Sequence, residues 1–350
     1  MKKRQIILLI AVILFIQILC FAQDGPYIVY NSDGSAEVIT FDRNLNMHTQ
    51  SFADRESIGE LTIYTQEGGY SFTVNLHDFN IPAARYELPE QMLLMSDPHG
   101  DFVPFVQVLK GNGVINEEFD WIYGTGHLAI LGDVMDRGDD QTTIFWLIYK
   151  LEEQARLAGG AVHFLIGNHE VMITRNDLRY LTPKYLTVSE ISGIRYDRLW
   201  NDTTELGRWL LSRNTITILD EVMLVHGGIS PELVATTYTI EEVNDVMRQH
   251  MLQGRGAALI TGNKGPTWYR GIVNQLITEE ELDEILARFE VTQIIMGHTR
   301  VSEISSLYDG KAVALDISND RMNNILTGKS LGLILTPNGF LPLRQMSIDN

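Results

Sequence analysis

The sequence predicts a mixed α/β fold preceded by a small all-β unit, and three patterns carry that prediction. From about residue 91, short apolar runs of strand length alternate with stretches at helical spacing, the rhythm of sheet layered with helices. Residues 23–88 instead hold β-branched and aromatic runs parted by turn residues. Five apolar runs in succession end in Asp, Asn or His beside glycine, and the carboxyl ends of strands are where open α/β sheets bind ligands. The chain has 350 residues, 45% hydrophobic and 21% charged. That is ordinary globular composition, with length enough for a large core. Lys and Arg number 27 against 45 Asp and Glu, a formal net charge of −18. A protein that neutralises phosphate backbones carries the opposite balance, so no nucleic-acid partner is expected.

At the amino terminus, Lys2, Lys3 and Arg4 precede an apolar run from Ile6 to Leu19 broken only by Gln17. Cys20-Phe21-Ala22 then puts small residues on both sides of Phe21, before a cut after Ala22. Residues 1–22 therefore read as a secretory signal peptide, and the protein is expected to be exported, periplasmic or secreted. The run is shorter than the roughly 20 residues of a membrane span, so no permanent span is expected. Bulky Ile18-Leu19 argues against a lipid anchor on Cys20. Cleavage would remove the single cysteine and, with three basic residues gone, take the charge from −18 to −21. An exported chain without disulfides rests on its core or on bound metal.

Residues 23–88 are expected to form the small β accessory domain, a sandwich or a pair of hairpins. Its strands are read at Tyr27–Tyr30, Ala36–Phe41, Leu61–Tyr64 and Tyr70–Val74. Turns fall at Asn31–Gly34 and Glu67–Gly69. No chemical motif lies there, so packing or docking is the expectation.

Residues 89–350 form the second expected domain. Strands are read at Met92–Met95, His127–Leu131, Ala161–Ile166, Val222–Val225 and Gln293–Met296, with Ala312–Leu315 and Leu331–Leu335 continuing the sheet. Helical spacing covers Phe102–Leu109 and Asp140–Ala158, where Phe145, Trp146 and Tyr149 belong to the core. Residues 172–220 and 231–290 read as helical and irregular.

The chemistry lies after the strands. The first five are followed by Ser96-Asp97-Pro98-His99-Gly100-Asp101, Gly132-Asp133-Val134-Met135-Asp136-Arg137-Gly138, Gly167-Asn168-His169-Glu170, His226-Gly227-Gly228 and Gly297-His298-Thr299. Asp, Asn and His offer oxygen and nitrogen ligands suited to Mn, Fe or Zn. Six such residues exceed what one tetrahedral ion takes. They suit two divalent ions sharing a carboxylate, which can clamp both oxygens of a displacement at phosphorus. Arg137 has the fork geometry that matches phosphate. Each motif alone is a common turn; five in order at strand ends are hard to explain as turns.

These motifs, spanning residues 96–299, resemble those of the calcineurin-like metallophosphoesterases, in particular the phosphoprotein phosphatase branch. Gly-Asp-x-x-Asp-Arg-Gly with Gly-Asn-His-Glu is specific to it. Ser-Asp-x-His-Gly-Asp and Gly-His-Thr resemble the bacterial Shewanella-like protein phosphatases. The absence of a second His after His298 favours this branch over nucleotidases. Ser96, where many relatives have Gly, and Pro98, between two ligands, depart from the pattern without removing a ligand. The resemblance covers about residues 91–340.

The resemblance implies a four-layer β-sandwich flanked by helices and a di-metal phosphomonoesterase. On it, Asp97 and His99 bind the first metal, Asp133 bridges, and Asn168, His226 and His298 complete the second. Arg137 and Arg270 bind phosphoryl oxygens. A hydroxide bridging the metals attacks phosphorus, and His169, oriented by Asp136, is the general acid. The substrate is a phosphorylated protein, on phosphotyrosine or phosphoserine/threonine, or a small phosphomonoester. A nucleotide or dinucleoside polyphosphate hydrolase of the same fold and a catalytically silent metal-binding module are the alternatives. Asp101 is read as supporting a ligand or capping a helix, Glu170 as capping or orienting the segment after His169, and Asp316 as a turn residue within reach of the site. His127 and His163 lie inside strands and read as structural.

Overall fold

The computed structural model describes residues 22–65, 69–317 and 331–343. The expected leader up to Phe21, and Glu67 and Gly68 of one expected turn, lie outside these residues.

The chain starts with three antiparallel strands, β1 (Ala22–Tyr30), β2 (Ala36–Asp42) and β3 (Met47–Phe52). β3 was not legible in the sequence because Met-His-Thr-Gln-Ser-Phe has no fully buried residue and forms the edge of its sheet. A hairpin of β4 (Leu61–Tyr64) and β5 (Ser71–Val74) follows. This amino-terminal region is fastened to what comes after it. The Trp146 indole N–H donates to the Pro26 carbonyl at 2.9 Å, and buried Glu205 accepts from Tyr149 and Arg55. β6 (Arg85–Tyr86) pairs in parallel with a strand of the larger domain, so the stretch read as accessory contributes an edge to the main fold.

Two sheets form the centre. One is built from β7 (Met92–Met95), β8 (His127–Ile130) and β9 (Ala161–Phe164), parallel and in register, extended late in the chain. The second holds β10 (Ile216–Leu219), β11 (Val222–Val225) and β12 (Gln293–Met296), then β13 (Ser305–Leu307) and β14 (Ala312–Ala314). Its strand order is β13-β14-β12-β11-β10-β6. The first sheet is completed by β15 (Gly332–Thr336) and β16 (Gly339–Pro342), in the order β16-β15-β7-β8-β9. β10 lies within 172–220, read from sequence as helical and irregular; it is a strand. Ile216-Thr217-Ile218-Leu219 meets β11 across the short Asp220-Glu221 turn, and β-branched residues in a tight hairpin prefer extended backbone.

The period of two along each strand makes the layers. Met92 and Leu94 of β7 join Leu224, Ile295 and Val313 of the facing sheet in one buried cluster. Leu93 and Met95, on the other side of β7, join the cluster that includes the helices. The helices are α1 (Phe102–Gly111), α2 (Gln141–Ala158) and α3 (Asn168–Thr174), with others over 183–289. In α2, Phe145, Trp146 and Tyr149 are wholly buried, and Gly159 ends the helix in the left-handed conformation. The result is helices, sheet, sheet, helices, with small peripheral sheets. His127 and His163 pair at 3.0 Å on β8 and β9, within the strands rather than at their carboxyl ends.

Candidate metal centre

The loops after β7, β8, β9, β11 and β12 converge because the backbone stitches them together. Asp97 N donates to Gly132 O at 3.1 Å, His99 N to Asp133 O at 2.9 Å, and Gly297 N to His226 O at 2.8 Å. The turns are sharp. Asp97, His99, Asp133, Asp136, Arg137 and His298 all have φ between 46° and 69°, a region costly for residues with a side chain. Close approach also demands glycine. A Cβ on Gly167 would lie 2.3 Å from Asp133 Oδ1, and one on Gly297 would collide with the Ser96 hydroxyl. Gly297 leaves room for the Ser96 side chain, and the Ser96 hydroxyl donates to Asp97 Oδ2.

Asp133 Oδ2 is the centre. It lies 3.3 Å from His226 Nε2 and 3.8 Å from both His99 Nε2 and His169 Nε2. Two groups of potential ligand atoms meet on this residue, His99–Asp133–His169 and Asp133–His226–His298, all buried, with atoms within 4.8 Å in each group. Asn168 Oδ1 joins the second at 3.0 Å from His226 Nε2. Asp97 is buried beside both, its Oδ2 accepting from His298 N at 3.0 Å.

Three imidazoles use one ring nitrogen on a backbone carbonyl. His99 Nδ1 donates to Met135 O at 2.8 Å, His226 Nδ1 to Leu131 O at 2.5 Å, and His298 Nε2 to Trp268 O at 3.1 Å. The other nitrogen thereby faces the cluster, where a cation would take the place of any proton it carries. Burial, then His226, holds His298 down to about 2, so its ring is neutral. Burial opposes the charge on Asp133, but His226, His169 and His99 hold its carboxyl well below the usual range. His226 is drawn up to about 10 against burial by Asp133 and Asp97. A carboxylate ringed by imidazole nitrogens, with no thiolate, fits a pair of divalent cations of the Mn, Fe or Zn kind.

His169 stands between two roles. Its Nδ1 meets Asp136 Oδ2 at 2.6 Å, the dyad expected from sequence, while its Nε2 is also within the first ligand group. Burial works against its proton, and Asp133 and Asp136 raise its pKa nonetheless. Arg137 donates to His99 Nε2 and lies 3.1 Å from His169 Nε2. Arg270 donates to the His298 carbonyl at 2.6 Å. Both arginines are exposed over the buried cluster, one on each side.

Several roles were under-read. Glu170 caps α3 by accepting Gly167 N, but its carboxylate also accepts the N–H groups of Asp133, Val134 and Met135 at 2.9–3.0 Å. One side chain therefore shapes the loop that carries the central ligand. Tyr180, 48% exposed, carried no sequence signal. Its ring lies 5.3 Å from that of His169 and 5.7 Å from the Arg137 guanidinium. Asp101 is at the N-cap of α1 without accepting from it through its side chain. Asp316 is buried near enough to favour the charge on Arg270.

A family model described as calcineurin-like phosphoesterase matches residues 91–302, the segment that carries both ligand groups, Asp97, Asn168, Arg137 and Arg270. The chain belongs to this family. Its calcineurin-like fold is similar to a crystal structure of the cold-active protein-tyrosine phosphatase of a psychrophilic Shewanella species, with a TM-score of 0.81 at 31% identity. That likeness covers 93% of this chain and 98% of the other. Among sequences, an uncharacterized protein of Schizosaccharomyces pombe is 32% identical over 67% of this chain and 74% of its own length. Shewanella-like protein phosphatase 2 of Arabidopsis thaliana is 25% identical over 67% of this chain and 72% of its own. The resemblance read from the strand-end motifs is thereby shown. As a calcineurin-like phosphoesterase with two His/Asp groups meeting on Asp133, the protein is a metal-dependent phosphoester hydrolase.

Proposed function

We propose that this phosphoesterase is an exported protein phosphatase whose substrate class is phosphotyrosine. The observation that carries the reading is the convergence of both ligand groups on Asp133 Oδ2 beneath an open rim of Arg137, Arg270 and Tyr180. Likeness to a protein-tyrosine phosphatase along nearly the whole chain supports the choice of phosphotyrosine. So does an exposed aromatic ring beside His169, against which a phenol ring can pack.

Asp97, His99, Asp133, Asn168, His226 and His298 would hold the two ions. Bound there, the ions supply Lewis acidity and lower the pKa of a coordinated water. The protein's own groups do the rest. Arg137 and Arg270 bind the equatorial phosphoryl oxygens and meet their growing charge. Water oxygen attacks phosphorus, and the P–O(aryl) bond breaks with its electron pair on the phenoxide. His169, held by Asp136, passes its proton to that oxygen, leaving phenol and inorganic phosphate.

Metal-reconstituted protein assayed side by side on phosphotyrosine, phosphoserine and phosphothreonine peptides and on nucleotides tests this reading. The highest kcat/KM is expected on phosphotyrosine. A preference for nucleotides or dinucleoside polyphosphates would replace it with the nucleotide reading. Export is supported by the basic and apolar start of the chain. Mass spectrometry of the amino terminus of the protein from its native host should find Gln23 first, and an intact Met1 would refute cleavage.

A further inference from the structure

The amino-terminal region carries no chemical motif, yet its first strand reaches beneath the His169–Asp136 dyad. Asp24 and Tyr27 of β1 are both buried. The Tyr27 hydroxyl donates to Asp24 Oδ2 at 2.6 Å and lies 3.1 Å from Thr142 Oγ1 at the start of α2. Thr142 directly follows Gln141 in the first turn of α2. Tyr196 accepts from Gln141 Nε2. The other end of that amide, Gln141 Oε1, accepts the backbone N–H of Asp136 at 2.6 Å. Asp136, at φ 69°, then meets His169 Nδ1 through Oδ2. Lys184, 3.3 Å from Asp24 Oδ1, balances the buried carboxylate.

The Gln141 link has a direction. A glutamine amide can be turned either way, and only one orientation offers its oxygen to Asp136 N–H. The Tyr196 hydroxyl oxygen accepts from the NH2 end, and the Tyr27–Asp24 pair holds Thr142, the next residue of α2. Among the described residues nothing donates to the second Asp136 oxygen, so the Asp136 carboxylate is engaged only by His169 while Gln141 holds its backbone.

We propose that Asp24 and Tyr27 of the amino-terminal strand, acting through Thr142 and its neighbour Gln141, are positioning residues that set Asp136 and thereby the proton-delivering His169. The region is then part of the catalytic apparatus as well as packing. The proposal rests on the reading of His169 as proton donor, and the test separates the two.

Tyr27→Phe, Gln141→Met, Asp24→Leu and His169→Ala are compared with the parent, all metal-loaded, on phenyl phosphate and on dinitrophenyl phosphate. Phenoxide needs a proton to leave and dinitrophenoxide does not. Bound metal and melting temperature are measured alongside. Tyr27→Phe, Gln141→Met and Asp24→Leu should lower kcat on phenyl phosphate by about tenfold and on dinitrophenyl phosphate by less than about threefold. KM and metal content should be unchanged. Asp24→Asn, whose amide oxygen still accepts from Tyr27, should restore most of the loss. Equal losses on both substrates, or none on phenyl phosphate, would overturn the proposal. If His169→Ala shows the leaving-group dependence and the Tyr27 and Gln141 variants do not, this proposal alone fails. If His169→Ala lacks it, the assignment of His169 fails and the proposal with it.

Discussion

Glu170→Gln is the sharpest probe of how the site is held. Glu170 is wholly buried, and each of its oxygens serves two backbone donors. Oε1 accepts from Val134 and Met135 at 2.9 and 3.0 Å, and Oε2 from Asp133 and Gly167 at 2.9 and 2.8 Å. Glutamine keeps the shape and replaces one oxygen with NH2. Whichever oxygen goes, two buried N–H groups lose their acceptor and face a donor. At about 1–3 kcal/mol for each unsatisfied group, the cost is about 2–6 kcal/mol. That is a large part of the stability of a typical domain, about 5–15 kcal/mol. The Asp133 loop, held at positive φ, should relax toward ordinary backbone and misplace the central ligand. Metal affinity should therefore fall by about 10- to 100-fold. Urea denaturation of the metal-free protein measures the first effect and calorimetric metal titration the second. A variant within about 0.5 kcal/mol of the parent, with unchanged metal affinity, would show that Glu170 does not shape the loop.

Three further outcomes are expected. Asp133→Asn should lose hydrolysis of an aryl phosphate by at least about a hundredfold, because the charge on which both ligand groups meet is gone; retained turnover would sink the di-metal reading. Gly167→Ala places a methyl 2.3 Å from Asp133 Oδ1 and should cost about 1–3 kcal/mol in melting experiments together with weaker metal binding; parent-like behaviour in both would show that the approach is not needed. Burial, then His127, holds His163 down to about 3, so the native ring stays neutral while the unfolded chain takes up a proton below about 6.5. Its contribution is full above that pH and declines toward pH 3 by about 1.4 kcal/mol per unit, about 2 kcal/mol lost by pH 5. His163→Leu should be correspondingly less acid-sensitive than the parent in denaturation at pH 7 and pH 5, and an identical pH dependence would refute the assignment.

What was legible in the sequence was local. A run such as Met92–Met95 followed by Asp97-x-His99 and Gly100 identifies a strand, its end and the ligands there, because all three lie within a few residues. Repeated five times, that pattern established the fold class, the metal-binding character and the residues that meet on Asp133. What only the tertiary structure decided depends on groups brought together from far apart in the chain. Glu170 reads as a helix cap, and its grip on the Asp133 loop appears only when β8 and β9 lie side by side. The choice of ring nitrogen in His99, His226 and His298 is made by carbonyls of Met135, Leu131 and Trp268 on other loops. β10 stayed hidden because a short apolar run has no period of its own until β11 pairs with it. Tyr180 and Asp24 carry no motif at all; their neighbours, His169 for one and Lys184 for the other, come from packing, which sequence spacing does not encode.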